Sequence, residues 1–308
     1  MIKEEFYLNS ASEGRRIHTV VWQPDGEPRA ALQLVHGMAE YIDRYDAFAR
    51  YLCENGIAAI GHDHLGHGQS AESEADLGFF AGNDASQIVI RDMRAVTLEA
   101  KRRFPGVPVF ILGHSMGSFF TRRYLALYGG EVAGAVVMGT GWIPSSVAAL
   151  GKTLAGMICK IKGERTVSPL LESMVLGGSA KAFPEDGQLG WLSVNKENVK
   201  KYEADPLCGF PFTAGAYRDF MRVMASIAKE EGYDNIRKNL PILVISGAND
   251  PVGGKSAVEK VAAQYRGLDF TDVTAKVVDG DRHEILNEDD REEVYAYILG
   301  WLGQRIRK

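Results

Sequence analysis

The sequence predicts an α/β protein with a mostly parallel central sheet, helices on both faces and an inserted helical lid. Short β-rich runs alternate with helical patterns along much of the 308-residue chain, and such alternation is typical of a parallel sheet with crossover helices. Between residues 140 and 239 the pattern changes to helix-like segments interrupted by glycine and serine. We therefore expect a core domain formed by residues 1–139 and 240–308, with residues 140–239 inserted as a lid, or cap.

Eight apolar or β-branched runs are predicted to form strands. Pro24-Asp25-Gly26 supplies a turn before the third run, and Ala30–Val35 is an apolar run of the kind found in strands that are covered on both faces. The predicted strands are Phe6–Asn9, Ile17–Gln23, Ala30–Val35, Ile57–Gly61, Val107–Leu112, Ala133–Met138, Ile242–Ser246 and Ala275–Val278.

Five segments with helical periodicity are predicted to form the helices of the core domain. Three of them stop where glycine or proline follows, at Gly56, Pro105-Gly106 and Gly129-Gly130. The predicted helices are Tyr45–Asn55, Ser86–Phe104, Ser118–Tyr128, Ser256–Tyr265 and Glu288–Trp301.

The first part of the predicted lid, Val147–Ile161, reads as an amphipathic helix. Its large apolar residues fall near helical spacing, with lysines beside them. These residues are Leu150, Leu154, Met157, Ile158 and Ile161, and the lysines are Lys152, Lys160 and Lys162. The favoured interpretation is a lid helix packed on its own domain. The alternative is an apolar, basic surface that rests transiently on lipid.

Composition narrows the class of protein. The net charge is −5 and no Lys/Arg run is longer than three residues, which argues against nucleic-acid binding. The three cysteines, Cys53, Cys159 and Cys208, form no CxxC pair, so we expect reduced thiols and no zinc site. The charged start Met1–Glu5 is not followed by the apolar stretch of a signal peptide, and no window is long enough to span a membrane. We expect a cytoplasmic protein.

The strongest chemical signal is the pentapeptide Gly113-His114-Ser115-Met116-Gly117. It follows the predicted strand Val107–Leu112 and opens a predicted helix, which is the setting that a nucleophile elbow needs. The two glycines are expected because side chains there would collide with neighbouring backbone. We therefore expect Ser115 to be a catalytic nucleophile.

A serine hydroxyl needs a base within hydrogen-bond reach and an acid that orients the base. His283, between a predicted strand and the last helix, is the candidate base. Asp250 follows the apolar strand Ile242–Ser246 and is the candidate acid. Asp279 is a rival acid, but it lies only four residues before His283 in sequence. The order Ser115, Asp250, His283 is the chain order expected for this arrangement.

An acyl-transfer site also needs two donors for the oxyanion. The backbone N–H of Met116, directly after the nucleophile, is one candidate. The N–H of Met38, in the His36-Gly37-Met38 loop after the third strand, is the other, and Gly37 allows close approach of the backbone. His36 itself is expected to be structural.

His62-Asp63-His64-Leu65-Gly66-His67 fits H-x-H-x-x-H, a spacing found in metal hydrolases. Gly66 occupies the position at which that motif has an aspartate, and no downstream set of metal ligands is evident in the sequence. We favour a polar turn in which Gly66 and Gly68 take unusual backbone angles, and we expect no metal and no organic cofactor.

Five segments together resemble the monoacylglycerol lipase and lysophospholipase group of α/β hydrolases. The resemblance covers the predicted core nearly end to end and is thinner in the lid, where Ala204-Asp205-Pro206-Leu207 is the main match. It implies an α/β-hydrolase fold, the triad Ser115, Asp250 and His283, and oxyanion donors Met38 and Met116. The five segments are His36–Glu40 with Arg44-Tyr45, Asp63–Ser70, Gly113–Gly117, Gly247–Val252 and Arg282–Glu288.

The function expected is serine-dependent hydrolysis of a lipid-like carboxylic ester, such as a monoacylglycerol or lysophospholipid. The apolar residues of the lid support that substrate class: Leu150, Leu154, Met157, Ile158, Phe210 and Phe212. Alternatives are a short-chain or aryl esterase, a thioesterase and a proline-iminopeptidase-like aminopeptidase. The aminopeptidase would use acidic lid residues to hold the substrate amine, with Glu172, Glu185, Asp186, Glu197 and Glu203 available. A non-enzymatic small-molecule receptor on the same fold is the alternative from another class.

Overall fold

The computed structural model describes residues 1–82 and 84–306, which fold around one eight-stranded sheet. In spatial order the strands are β1-β2-β4-β3-β5-β6-β7-β8. β1 and β2 pair antiparallel with each other, β2 pairs antiparallel with β4, and the remaining pairs are parallel. The strands are β1 Ile2–Asn9, β2 Arg16–Gln23, β3 Ala30–Val35, β4 Ile57–His62, β5 Val109–His114, β6 Gly134–Met138, β7 Ile242–Gly247 and β8 Val273–Val278.

The helices cover both faces of the sheet, so the predicted fold class is confirmed. The helices are α1 Asp46–Glu54, α2 Ala85–Arg103, α3 Met116–Tyr128, α4 Ser145–Lys162, α5 Pro169–Leu176, α6 Lys196–Ala204, α7 Ala214–Ala228, α8 Gly254–Gly267 and α9 Arg291–Gly303. Alternate strand residues face opposite sides: Leu32 belongs to the buried cluster that includes residues of α1 and α9, whereas Ala31 belongs to the cluster that includes residues of α2, α3 and α8.

Four helices, α4 to α7, lie between β6 and β7, within the segment predicted as a lid. α4 packs on α7 through its small residues: Ala148, Gly151, Ala155 and Cys159 are buried, and a Cβ at Gly151 would lie 2.8 Å from Met221 Sδ. The large apolar residues Leu150, Met157 and Ile161 are exposed instead. Both the large and the small apolar residues of α4 recur at helical spacing. The small residues form the face that packs on α7 because they let the two helices approach closely.

All three cysteines are buried and free of disulfides. Among the residues that the structure describes, no helix combines the length and hydropathy needed to cross a membrane.

Candidate active site

Ser115 sits at a sharp turn between β5 and α3. Its backbone angles are φ 52° and ψ −122°, a region that side-chain-bearing residues rarely adopt. The glycines on either side are required by contact, as the sequence predicts. A Cβ at Gly113 would lie 2.3 Å from the Gly117 carbonyl oxygen, and one at Gly117 would lie 2.3 Å from the Val35 oxygen. The pentapeptide therefore forms the strained strand–turn–helix that a nucleophile elbow requires.

His283 and Asp250 are joined by a buried hydrogen bond. His283 Nδ1 lies 2.9 Å from Asp250 Oδ1, which also accepts the Val252 N–H, and Asp250 Oδ2 accepts the Ser246 hydroxyl. Burial alone would raise the pKa of Asp250, but the charge of His283 and these hydrogen bonds hold it below its usual value. The carboxylate is therefore ionised, and it can orient the histidine ring. The rival acid, Asp279, is exposed.

Ser115 and His283 line the same cavity, whose volume is about 640 Å³. The His283 ring packs between the rings of His114 and Trp191, with centroids 4.7 and 4.9 Å away. No hydrogen bond joins Ser115 Oγ to the His283 ring among the described residues. Such contacts often tighten only when substrate binds. The geometry thus brings the proposed nucleophile and base to one cavity.

The two proposed oxyanion donors, Met38 and Met116, line this cavity as well. Met116 is the first residue of α3, so its N–H has no partner within the helix. Within residues 1–82 and 84–306, neither N–H donates a hydrogen bond to another protein group. An ideal Cβ at Gly37 would come 3.1 Å from Ser115 Cβ, which shows how near the Gly37 loop lies to the elbow. In the described structure both amides thus lack a protein acceptor, as the proposed oxyanion donors should.

A buried ionic cluster beside the site was not assigned a role from the sequence. Arg44 donates to both oxygens of Glu284, at 2.7 Å each, and to Glu40 at 2.8 Å. Glu40 Oε1 accepts the Gly37 N–H at 2.6 Å and contacts His114 Nδ1 at 3.2 Å. The cluster therefore joins the Gly37 loop to the loop that carries His283. All of these residues lie in the segments that resemble the lipase family. That resemblance was the feature of the sequence that could have pointed to the cluster.

The partners in this cluster favour one another's charged forms. Burial opposes ionisation of Glu40 and Glu284, but His114 and Arg44 lower the pKa of Glu40, and Arg44 lowers that of Glu284. Burial also disfavours a charged His114, but the hydrogen bond and charge of Glu40 raise its pKa. The other ring nitrogen of His114, Nε2, lies 3.2 Å from the His283 carbonyl oxygen.

The lid segment supplies most of the apolar wall of the cavity. Of the six apolar residues named from the sequence, Phe210 and Phe212 line it, whereas Leu150, Leu154, Met157 and Ile158 do not. Of the five acidic residues considered for amine binding, only Glu172 lines it, within the described part of the chain. Further apolar lining comes from Ile143, Val147, Met174, Val175, Leu176, Leu189, Met221 and Met224.

The histidine-rich segment after β4 forms a buried turn. Gly66 and Gly68 have positive φ angles of 73° and 45°, as the polar-turn interpretation predicts. Asp63 accepts hydrogen bonds from the Ile42 and Gln69 N–H groups. His36 accepts the His64 N–H at Nε2 and contacts its neighbour's carbonyl through Nδ1, which is a structural role. The described residues contain no cluster of ligands suited to a metal ion.

Comparison with known proteins agrees with this geometry. A family model described as "Serine aminopeptidase, S33" matches residues 26–290. The chain is 30% identical to the monoacylglycerol lipase of Mycolicibacterium smegmatis over 301 residues, covering 95% of each protein. It is 26% identical to the monoglyceride lipase of Homo sapiens over 305 residues, which are 96% of this chain and 89% of the human protein.

A solved structure shows the same architecture. The carboxyl esterase of Bacillus coagulans, in complex with glycerol, superposes with a TM-score of 0.90 at 26% identity, and the match covers 100% of both chains. The parallel sheet, the strained serine turn and these relatives lead to one conclusion. The chain belongs to the serine aminopeptidase S33 family of α/β hydrolases, in its monoacylglycerol lipase-like group, and is a serine hydrolase.

Proposed function

We propose that the protein hydrolyses esters of a single acyl chain, such as monoacylglycerols or lysophospholipids, with Ser115, His283 and Asp250 as its triad. The observation that carries this proposal is the position of the strained Ser115 turn and the Asp250-bound His283 at one apolar cavity of about 640 Å³. The names of the curated relatives support the same substrate class.

In the proposed mechanism, Ser115 Oγ attacks the ester carbonyl while His283 takes the hydroxyl proton. Asp250 holds the ring through Nδ1, which leaves Nε2 to act as the base. The N–H groups of Met38 and Met116 bind the oxyanion. When the intermediate collapses, the alcohol leaves with the proton from His283. Water then attacks the acyl-enzyme and gives a proton to His283. As the acid is released, that proton passes from His283 to Ser115 Oγ, which restores the free enzyme.

The lining of the cavity supports a long acyl chain over a short one. Aliphatic and aromatic side chains from the lid segment line the cavity, and an apolar acyl chain could pack against them. They include Phe210, Phe212 and Met221. Burial of each methylene contributes about 0.8 kcal/mol, so binding should improve along a homologous series. A short-chain esterase would gain little from this surface.

A series of p-nitrophenyl esters from acetate to laurate tests the acyl pocket. We expect kcat/KM to rise by at least about tenfold from the C2 to the C8–C12 esters, and Ser115→Ala to abolish turnover. Activity confined to acetate and butyrate would contradict a long acyl pocket. Monoacylglycerols and lysophospholipids, assayed side by side, then distinguish the two lipid classes.

An aminopeptidase is the second candidate function. The family description names that activity, and Glu172 places one carboxylate at the cavity wall, where it could bind an amine. Cleavage of proline 2-naphthylamide, lost in Glu172→Gln, would favour this function. Absence of labelling of Ser115 by a fluorophosphonate would favour a non-enzymatic receptor.

We also propose that the lid segment touches lipid surfaces transiently. On α4 and α5 the residues Val147, Leu150, Ile161, Leu170 and Met174 are 45–80% exposed. Val147 and Met174 also line the cavity, so the exposed apolar surface continues to its wall. The exposed Lys160 and Lys162 lie at the end of α4 and would favour anionic headgroups.

Sedimentation with vesicles tests lipid contact. We expect binding to vesicles that contain 30% phosphatidylglycerol, and a severalfold loss of binding in Leu150→Asp/Ile161→Asp. Unchanged sedimentation of this double variant would contradict contact through α4. A matched control carries aspartate at the exposed Leu98 of α2.

A further inference from the structure

A second cavity of about 540 Å³ lies beside the first and shares the side chains of Phe119, Ile143 and Met224 with it. Its described lining contains no residue of the proposed triad or oxyanion hole. The shared side chains are apolar and so is Ile227, which lies next to them in the wall. The remainder of the lining includes two cations, Arg122 and Lys260.

Arg122 is the unusual group in this cavity. The residue is only 2% exposed, yet its guanidinium meets neutral acceptors: Nη1 donates to the Gly141 carbonyl and Nη2 to Gln264 Oε1, both at 3.0 Å. Its Nε is buried and has no partner among the described residues. Burial raises the pKa of the adjacent Tyr265 well above its usual value, so that phenol is neutral and supplies no negative charge.

The other charged groups at the cavity leave an excess of positive charge. Lys260, on the exposed side of α8, lies 5.1 Å from the ring centroid of Trp142. Among the residues that the structure describes, Glu230 is the one acidic member of the lining, and its Oε1 accepts a hydrogen bond from Gln264 Nε2 at 3.1 Å. Two cations thus face one exposed carboxylate. A buried cation without a counter-charge is costly, and an anionic ligand would relieve that cost.

We infer that this second cavity binds the carboxylate of an acid with an apolar tail, with the carboxylate near Arg122 and Lys260 and the tail along Phe119, Ile143 and Met224. The choice of a fatty acid rests on the proposed function, because such an acid is the product that the triad would release. The walls shared with the first cavity place this second site next to the point of release.

The test uses protein in which the first cavity is blocked. Reaction of Ser115 with a dodecyl fluorophosphonate fills that cavity, and mass spectrometry verifies the adduct. Calorimetric titration with decanoate then reports the second cavity, with decanol, acetate and inorganic phosphate as comparison ligands. We expect one decanoate per chain and at least tenfold weaker binding of each of the other three.

Two substitutions at exposed positions probe the site without altering the core. Lys260→Glu should weaken decanoate binding by about fivefold, the scale of one exposed charge interaction, while Lys255→Glu on the same helix should not. Ala263→Phe, which adds a ring to the cavity wall, should remove binding, whereas Ala296→Phe on α9 should retain it. Ala263 lies in the lining, and both alanines are exposed.

Three results would overturn the inference: no decanoate binding to the blocked protein, equal binding of decanol or phosphate, or full binding by Ala263→Phe. Failure of the proposed function has a different signature: long-chain p-nitrophenyl esters are not turned over, whether or not Ser115 reacts with the fluorophosphonate. In that case the unblocked wild type and Ala263→Phe are titrated in parallel. A decanoate site that the substitution removes supports the inference, and equal stoichiometry in both proteins rejects it.

Discussion

Ser115 has a backbone conformation that its surroundings enforce. Its N–H donates to the Met138 carbonyl at 3.0 Å, and its carbonyl accepts the Ser118 N–H at 2.8 Å. Strain at such a residue costs on the order of 1–3 kcal/mol and persists only where neighbouring structure fixes it. Here the fixed conformation places Ser115 at the cavity that it shares with His283, which is the position that its proposed role as nucleophile requires.

The role proposed for Asp250 predicts a specific loss of activity. Asp250→Asn keeps the shape of the side chain but removes the charge that selects the working tautomer of His283. We expect kcat for a p-nitrophenyl ester to fall by about 10⁴-fold, as in triads of this type. Asp279→Asn is the matched control and should keep full activity. A large loss in the control, with Asp250→Asn unaffected, would reverse the assignment of the acid.

The close contact at Gly117 predicts a loss of stability. In Gly117→Ala the new Cβ would meet the Val35 and His36 carbonyl oxygens at 2.3 and 2.5 Å, and these are backbone atoms that cannot turn aside. We expect the free energy of unfolding to fall by about 1–3 kcal/mol or more, measured by urea denaturation.

Gly156 provides the control for Gly117, because it is a helical glycine with open space around its Cβ position. Gly156→Ala should stabilise the protein by about 0.5–1 kcal/mol, the helix-propensity difference. Equal effects of the two substitutions would contradict a steric role for Gly117.

Short stretches of sequence identified the proposed catalytic residues but not the ionic cluster that holds their loops together. The Ser115 turn is one pentapeptide after a strand, and Asp250 and His283 each follow a strand, so short windows could nominate them. The ion pair of Arg44 with Glu284 joins residues 240 positions apart. No periodicity or spacing connects such distant groups, which only the sheet brings together.

The elements of the core follow from short-range patterns, whereas the packing of the insertion does not. Runs such as Ala30–Val35 are apolar because both faces of a central strand are buried, and β3 has those bounds in the structure. In α4 the apolar residues occupy most of the surface, and local periodicity cannot tell which side meets α7. The small residues of α4 form the contact with α7, and Leu150 and Ile161 are exposed to solvent.

The loop between β8 and α9 contains two carboxyl groups whose negative charges repel each other, those of Asp281 and Asp290. Asp281 is buried, and its Oδ2 has no partner among the described residues, nor has Asp290 Oδ1. Burial and the nearby charges of Asp290 and Glu288 raise the pKa of Asp281 to about 8. In the unfolded chain the same carboxyl ionises near pH 4. The folded protein therefore loses stability at this group as pH rises from about 4 to about 8.

Asp281→Asn removes that loss. We expect the variant to unfold with a free energy close to that of wild type at pH 4, and to gain about 1–3 kcal/mol relative to it by pH 8. Urea denaturation at both pH values measures the gain. Asp289→Asn, an exposed neighbour in the same loop, should show no such trend. A gain that does not change with pH would contradict repulsion as its cause.

On the scale of the whole molecule, buried histidines set the response to acid. Burial lowers the pKa of His62 and of His67 to about 3, and it also lowers the pKa values of His64 and His36. Both ring nitrogens of His62 and His64 are buried without partners in the described structure. At His18 and His114 nearby carboxylates outweigh burial: Asp63 and Glu5 raise the pKa of His18, and Glu40 and Glu284 raise that of His114.

The sign of the acid effect follows from proton uptake. An unfolded histidine binds its proton near pH 6.5, whereas the folded His62, His64 and His67 remain neutral well below that pH. Between pH 6.5 and pH 3 the unfolded state therefore binds more protons at these groups, and stability falls as pH falls. The contribution of His18 and His114 has the reverse sign, because their bound protons favour the folded state below pH 6.5. The groups with lowered pKa values are more numerous, so we expect a net loss.

His67→Phe isolates one of these groups. His67 lies among the rings of Phe80, Phe210 and Phe212, with centroids 5.2–5.6 Å away, so an aromatic replacement suits its surroundings. Each such histidine contributes a slope of up to about 1.4 kcal/mol per pH unit. We expect the free energy of unfolding, measured in urea between pH 7 and pH 5, to fall less steeply in the variant by part of that amount. The absolute stability can shift in either direction because phenylalanine is larger, but an unchanged slope would mean that His67 takes up its proton equally in both states.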